Sequence, residues 1–289
     1  MKISTPPRPG LLQEFNLRKQ KLVFDAVWHA LEDHRVFMDS PMDLREFLNL
    51  THYPQHVADV YAERHANGFQ DFDIEKLRHA FESCASMIAA ASAAVNGSQD
   101  GVKVAFAPVS GFHHAAYKYC GGYCTFNGLV VAAQYLRVSG QAPNGVLIID
   151  GDGHYGDGTE DIINNLQLGS WLSQVSLSAA STGKNFKRAE HAIEAALRAR
   201  PYSLVMYQAG ADAHIDDPYG AGYLTNMQWG QRDTQVFSTC KELRLPIVWN
   251  LAGGYNGAKT LNLHARTFLA ALQVFYPQSI RVLHPRIAG

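Results

Sequence analysis

The chain has 289 residues, 47% hydrophobic and 18% charged, which is enough to bury a large core, and one α/β domain over residues 1–289 is expected. A formal net charge of −1 argues against electrostatic capture of nucleic acid or of an anionic membrane. No signal-peptide core opens the sequence and no run of about 18 apolar residues interrupts it, so a cytoplasmic protein is expected.

Residues 1–10 (MKISTPPRPG) read as a Pro-rich surface arm. Leu12, Phe15, Leu22, Val23, Val27 and Leu31 recur at helical spacing and predict a covering helix over 11–34. The pattern stays helical over 43–67, where His52, His56 and His65 read as ordinary partly buried histidines. The Ala-rich stretch 74–95 predicts a helix that stops at Asn96-Gly97, its small side chains suited to close packing on a sheet. A strand is predicted over 103–107 (KVAFA), followed by the loop PVSGFHHAAYKYCGGYCTFN and a helix through GLVVAAQYL. Further strands are predicted at 145–149, 174–177, 203–208 and 246–251. Helices are predicted at 160–168, 186–200, 225–243 and 260–275, and Pro201 breaks the second of these. This alternation predicts a mostly parallel open sheet with helices on both faces, a three-layer α/β/α architecture.

The chemistry gathers at strand ends. In VLIIDGDGHYGDG (146–158) a buried apolar strand runs into Asp150, Asp152, His154 and Asp157. Unpaired carboxylates there would cost several kcal/mol each, so they need a cation, an imidazole or backbone N–H groups. His113 and His114 follow one proposed strand, Asp212 another, and Gly253, Gly254 and Tyr255 a third. A doubly wound sheet lines such loops along one edge. Asp152, His154 and Asp212 are the most economical metal-ligand set, a mixed O/N site with room for water. The bland reading of the Asp/His run is a turn with capping aspartates. Cys84, Cys120, Cys124 and Cys240 are too few for a disulfide framework, and Cys120 with Cys124 lacks a second pair to complete a zinc site.

GFHHA, DGDGHYGDG, QAGAD and LAGGYN stand in the order and chemical context of the zinc-dependent histone deacetylase family, within the arginase/deacetylase fold. The chain resembles that family over residues 105–275, more weakly before them at THYPQHV, as a short bacterial-type or acetylpolyamine-amidohydrolase-like member. The resemblance implies one catalytic Zn²⁺, with Fe²⁺ as the alternative, on Asp152, His154 and Asp212. It implies that His114 is the general base, oriented by Asp157, and that His113, paired with Asp150, helps electrostatically. Tyr255 would donate to the oxyanion, with Gly253 and Gly254 letting the phenol approach. Gly122 and Tyr123 would line the acyl tunnel, a core tyrosine being the alternative for Tyr123. A structural K⁺ or Na⁺ is implied on Asp150, Asp152, His154, Ser176 and Leu177. The implied reaction is hydrolysis of an N-acylated amine, whether acetyl-lysine, an acetylpolyamine or another small N-acyl substrate.

Two departures from the family pattern bear on substrate. Only AASTGKN separates QVSLS from the predicted helix at Phe186, so the tunnel's second aromatic wall is not identifiable, and Asp71 and Asp73 do not align with a rim aspartate; a wider or differently shaped mouth is expected. Tyr155 stands where many relatives have a second histidine. Two other readings compete: an arginase-like ureohydrolase with two Mn²⁺ ions, encouraged by DAHIDDP, and a catalytically silent metal-bound sensor of acylated amines.

Overall fold

In the computed structural model, which describes residues 1–4, 15–28, 43–97, 101–219 and 221–278, β-strands and α-helices alternate along most of the chain. In chain order the elements are β1 (Lys2–Ile3), α1 (Phe15–Trp28), α2 (Arg45–Thr51), α3 (Pro54–Tyr61), α4 (Ile74–Asn96), β2 (Val104–Phe106), α5 (Gly128–Val138) and β3 (Val146–Asp150). They continue with α6 (Asp157–Asn165), β4 (Leu172–Ser176), α7 (Ala179–Thr182), α8 (Phe186–Arg198), β5 (Leu204–Gln208), α9 (Asn226–Glu242), β6 (Ile247–Asn250) and α10 (Gly257–Phe275). The strands form one sheet in the order β1-β2-β6-β5-β3-β4, and every pairing is parallel.

The strand sequences explain why both faces are covered. In β3, Val146 and Ile148 join one apolar cluster, packed with α2 to α6, while Leu147 and Ile149 join the other, packed with α8, α9 and α10. β5 splits the same way, Leu204 and Met206 against Val205 and Tyr207. Successive side chains on a strand point to opposite faces, so a continuous apolar run is what a doubly covered parallel strand requires. α4 packs through Ala90, Ala91 and Ala94, whose small side chains let helix and sheet approach closely. Its start is capped by Asp73, which accepts from Glu75 N at 2.8 Å, and its end turns at Gly97 with φ 72°.

The register sets up the site. Asp150 pairs with Ser176 on one side and Gln208 on the other, and Gln208 pairs with Asn250. The C-terminal ends of β2, β6, β5 and β3 are therefore neighbours, and the loops that follow them share one edge.

Three expectations need correction. The first residues are not a free arm: Lys2 and Ile3 pair with Ala105 and Phe106, and Met1 and Ile3 are buried, because the start of the chain completes an otherwise open sheet edge. Residues 5–10 lie outside the described residues, as do 11–14 and 29–34 of the predicted first helix. The helical stretch 43–67 is two helices, since Pro54 starts α3 at its first position and holds Tyr53 extended (φ −58°, ψ 120°). The helix predicted from 160 begins at Asp157, whose carboxylate lies in the first turn, where the helix dipole favours negative charge. Among the described residues no helix is long and apolar enough to cross a membrane.

Candidate active site

The loop after β3 and the short 3₁₀ turn after β5 bring Asp152, His154 and Asp212 together, with one ligand atom from each within 4.8 Å of the others. His154 Nδ1 lies 2.9 Å from Asp212 Oδ2 and 3.3 Å from Asp152 Oδ1. Backbone N–H groups hold the carboxylates in place: Gly153 donates to Asp212 Oδ1 at 3.0 Å and Gly253 to Asp152 Oδ2 at 2.8 Å. A Cβ at Gly253 would collide with both carboxylates, which is why the loop after β6 carries glycine there.

The electrostatics of the triad call for a cation. Burial and the facing charge of Asp152 push Asp212 up to about 7. Burial also opposes charge on Asp152, but His113 and His154 outweigh it and hold that carboxyl well below its usual range. Hydrogen bonds to Asp152 and Asp212 pull the His154 imidazole up to about 11. Two buried carboxylates that repel each other, with an imidazole drawn toward its charged form, make an O/N donor set short of positive charge, and a divalent ion such as zinc fits it.

The tandem histidines stand beside this triad with ring centroids 4.0 Å apart. His113 is buried and donates from Nδ1 to Asp150 Oδ2 at 2.8 Å, while its Nε2 lies 3.7 Å from Asp152 Oδ1. Burial disfavours charge on His113, but Asp150 and Asp152 more than offset it and push the imidazole up to about 9. His114 donates from Nδ1 to Asp157 Oδ1 at 2.6 Å. Burial and the neighbouring His113 charge hold it below the usual histidine range despite Asp157. The backbone entering the pair is strained, Phe112 having φ 98°, an uncommon conformation for a bulky side chain. His52 braces this region from α2's end: Nδ1 donates to the Ala116 carbonyl (2.8 Å) and Nε2 accepts from Asn127 N (3.0 Å).

Tyr255 lines the same cavity, of about 250 Å³, as His113, His114, Asp152 and His154. Burial, with Asp152 and Asp212 nearby, raises its phenol above the ordinary range, so it stays protonated. Its backbone N–H donates to Asp217 Oδ2 at 2.7 Å. Gly254 turns the loop with φ 131°, a conformation that side-chain-bearing residues rarely adopt. Gly122 lies directly under the His114 ring, and Tyr123 is 43% exposed at the cavity mouth, which excludes the core-tyrosine alternative. The ion-pair partners of the rim carboxylates are local: Asp71 pairs with Lys76 at 2.6 Å, and Asp73 caps α4.

The oxygens assigned to a monovalent ion are grouped but partly used. Asp150 O accepts from Leu177 N (2.7 Å), the Leu177 carbonyl accepts the Tyr223 hydroxyl (2.7 Å), and Ser176 Oγ accepts from Ser178 N (3.4 Å). A buried positive charge already serves this loop, since Arg232 Nη1 donates to Gly151 O at 2.8 Å.

Several residues in or beside the cavity carried no sequence signal. Tyr219, in the loop after β5, lines the cavity with its ring 4.8 Å from that of Tyr255, and the Tyr123 ring lies 6.0 Å from the same residue. Lys19 of α1 is buried and donates from Nζ to the carbonyls of Ala252 (2.6 Å) and Gly254 (3.3 Å), tying the first described helix to the loop that carries Tyr255. Burial pulls its ammonium down to about 8, against the attraction of Asp212 and Asp152. Nothing in LRKQK distinguishes Lys19 from its neighbours. His214 is turned into its own loop: Nε2 donates to Asn226 Oδ1 (3.1 Å) and Nδ1 accepts from Asp216 N (3.1 Å). Among the described residues the triad is the only group of three or more His, Cys, Asp or Glu side chains with metal-holding geometry.

Known proteins share both the fold and the sequence pattern. The chain is similar to an uncharacterized protein of Picosynechococcus sp., 30% identical over 162 residues covering 50% of this chain and 54% of that protein. It is also similar to the acetylpolyamine amidohydrolase of Burkholderia pseudomallei, 27% identical over 224 residues covering 66% and 61%. Among solved structures the HD domain of HDA15 superposes with a TM-score of 0.74 at 20% identity, covering 98% of this chain and 93% of that one, a likeness of fold. The match thus spans little more than half the length of those two sequence relatives. Residues 14–173 and 168–272 match the histone deacetylase domain, and with the tandem histidines, the Asp/His/Asp triad and the GGY loop gathered on one sheet edge, the chain belongs to the histone deacetylase domain family.

Proposed function

We propose that the chain is a zinc-dependent amidohydrolase that removes an acetyl or other short acyl group from an N-acylated amine. The observation that carries this reading is geometric: two imidazoles with ring centroids 4.0 Å apart, each bonded to its own carboxylate, share one cavity with Asp152, His154 and Tyr255. An imidazole oriented by a carboxylate is the arrangement a general base requires. When bound by Asp152, His154 and Asp212, zinc supplies Lewis-acid polarisation of the acyl carbonyl and makes water more acidic.

The chain's own groups do the rest. His114, neutral near pH 7, takes the proton from the attacking water through Nε2, while Asp157 fixes its Nδ1–H tautomer. His113, held by its Nδ1 hydrogen bond to Asp150, stabilises negative charge that develops beside it. The protonated Tyr255 phenol donates to the carbonyl oxygen as it becomes an oxyanion. His114 then returns its proton to the departing amine nitrogen, so the C–N bond breaks with the amine leaving neutral. A K⁺ or Na⁺ on Asp150, Asp152, His154, Ser176 and Leu177 belongs to the proposal as a structural ion and takes no part in these steps.

The test is a panel of N-acyl amines, acetyl-lysine amide and a monoacetylated diamine among them, assayed with the zinc-loaded protein. Turnover that chelation removes and that His114→Ala lowers by about 10²- to 10⁴-fold is expected. No turnover on any member of the panel, or full activity in His114→Ala, refutes the assignment.

A further inference from the structure

On the face of the sheet covered by α8, α9 and α10, helix α9 buries two consecutive charges, Arg232 and Asp233. A buried ion pair is often no more stable than apolar side chains of the same volume, so packing alone does not call for two charges here. Asp233 is fully engaged. Its Oδ1 accepts from the Tyr207 hydroxyl (2.5 Å) and from Arg232 Nε (3.0 Å), and its Oδ2 accepts from the Thr267 hydroxyl (2.5 Å). Arg232 Nη2 lies 3.0 Å from the same Oδ1, and the guanidinium sits over the Trp229 ring at 3.9 Å. Trp229 in turn donates from Nε1 to Thr267 Oγ1 at 3.2 Å. Contacts from β5, α9 and α10 thus fix the plane and direction of a planar, five-donor group.

What that fixed group reaches is the metal loop. Arg232 Nη1 donates to Gly151 O at 2.8 Å, and Gly151 stands between Asp150, which orients His113, and Asp152, one of the triad. The Gly151 N–H donates to Gln208 O, also at 2.8 Å. Gln208 therefore holds the peptide plane that enters Gly151, and Arg232 holds the plane that leaves it toward Asp152. Glycine is the residue whose backbone is least restrained by its own side chain, so without both grips the two planes could turn against each other. The Asp152 carboxylate is tied at its far end by the Gly253 N–H, but the backbone from which that side chain starts is set by Arg232.

We propose that Arg232 is a positioning residue of the metal centre: through the Gly151 carbonyl it sets the direction of Asp152, and so the geometry in which Asp152, His154 and Asp212 hold an ion. Groups that orient metal ligands without touching the metal change its affinity or the reaction rate by about 10- to 100-fold when they are removed. Lysine cannot replace Arg232 in this role, because one ammonium on a flexible stem does not span Asp233 and Gly151 in a fixed plane. The role rests on zinc being bound at the triad, as proposed above, but on no particular substrate.

The test compares three variants with the unaltered protein: Arg232→Lys, Arg232→Met combined with Asp233→Asn so that no lone carboxylate is left buried, and Thr267→Val. Thr267→Val takes a donor from Asp233 but leaves Nη1 on Gly151. Zinc affinity is read by competition with a chelator, ligand geometry by the visible spectrum of the cobalt-substituted protein, and stability by urea unfolding. Both Arg232 variants are expected to bind zinc about 10- to 100-fold more weakly with an altered cobalt spectrum. Thr267→Val is expected to unfold at lower urea yet keep zinc affinity within about threefold and the cobalt spectrum unchanged. Unchanged zinc affinity and cobalt spectrum in either Arg232 variant that folds overturn the role, as does an equal loss of affinity in Thr267→Val, which would mean general loosening of the core. Tight zinc binding that the Arg232 substitutions leave intact removes only this role. An unaltered protein that holds no zinc removes the amidohydrolase reading as well.

Discussion

Tyr255→Phe isolates one oxygen. The ring stays in place in the variant, because its position is fixed by contacts the hydroxyl does not make: Asp217 holds the backbone at 2.7 Å, and Tyr219 and Tyr123 pack at 4.8 and 6.0 Å. The triad of Asp152, His154 and Asp212 is untouched, so zinc content is expected to stay stoichiometric. What disappears is a donor kept protonated by burial and by the nearby carboxylates, in the cavity that Asp152 and His154 also line. Loss of one such donor lowers kcat by about 10²- to 10³-fold, or roughly 2.7–4 kcal/mol of transition-state stabilisation. The deficit is expected in kcat with little change in KM, since the bond strengthens only as the oxyanion forms. Steady-state kinetics on an N-acyl amine, with zinc measured in the same samples, reads both quantities. A kcat within about threefold of the unaltered protein at full zinc occupancy removes Tyr255 from the mechanism.

Asp212→Ala is expected to abolish tight zinc retention, and elemental analysis after dialysis that still finds one zinc per chain would show that the ligand set is wrong. Asp217→Ala leaves the Tyr255 N–H without its acceptor, and a loss of about 1–3 kcal/mol in denaturant unfolding, together with reduced turnover, is expected; unchanged unfolding would mean that this contact does not hold the loop. In the metal-free protein Asp212, His113 and His154 are each expected to contribute less stability as pH rises. Asp212, pushed up to about 7, binds its proton more tightly folded than unfolded and contributes a loss between about 4 and 7. His113 and His154, raised to about 9 and 11, contribute stability that is complete below about 6.5 and fades through those values. Zinc supplies the missing positive charge, so its thermal stabilisation should be larger at pH 8 than at pH 5, and a zinc shift independent of pH would contradict the charge deficit.

The one-dimensional pattern was sufficient where the physics is local. Continuous apolar runs such as VLIID can be solvated on neither face, so a doubly covered parallel sheet followed, and strand-end loops on one edge brought His113, His114, Asp150, Asp152, His154, Asp157, Asp212 and Tyr255 into one neighbourhood. Pro54 and the pairing of Lys2 and Ile3 were visible as residues but not as outcomes: the helix break needed the local backbone, and the edge strand needed a neighbour about a hundred positions away. What only the tertiary structure decided is the shape of the cavity. Tyr219 lines it because its loop folds back onto Tyr255, and Lys19 reaches Ala252 and Gly254, more than 230 positions along the chain, because α1 docks there. A side chain on a helix announces its turn and its face, but which loop that face meets is set by packing between distant elements, and no periodicity in the sequence records it.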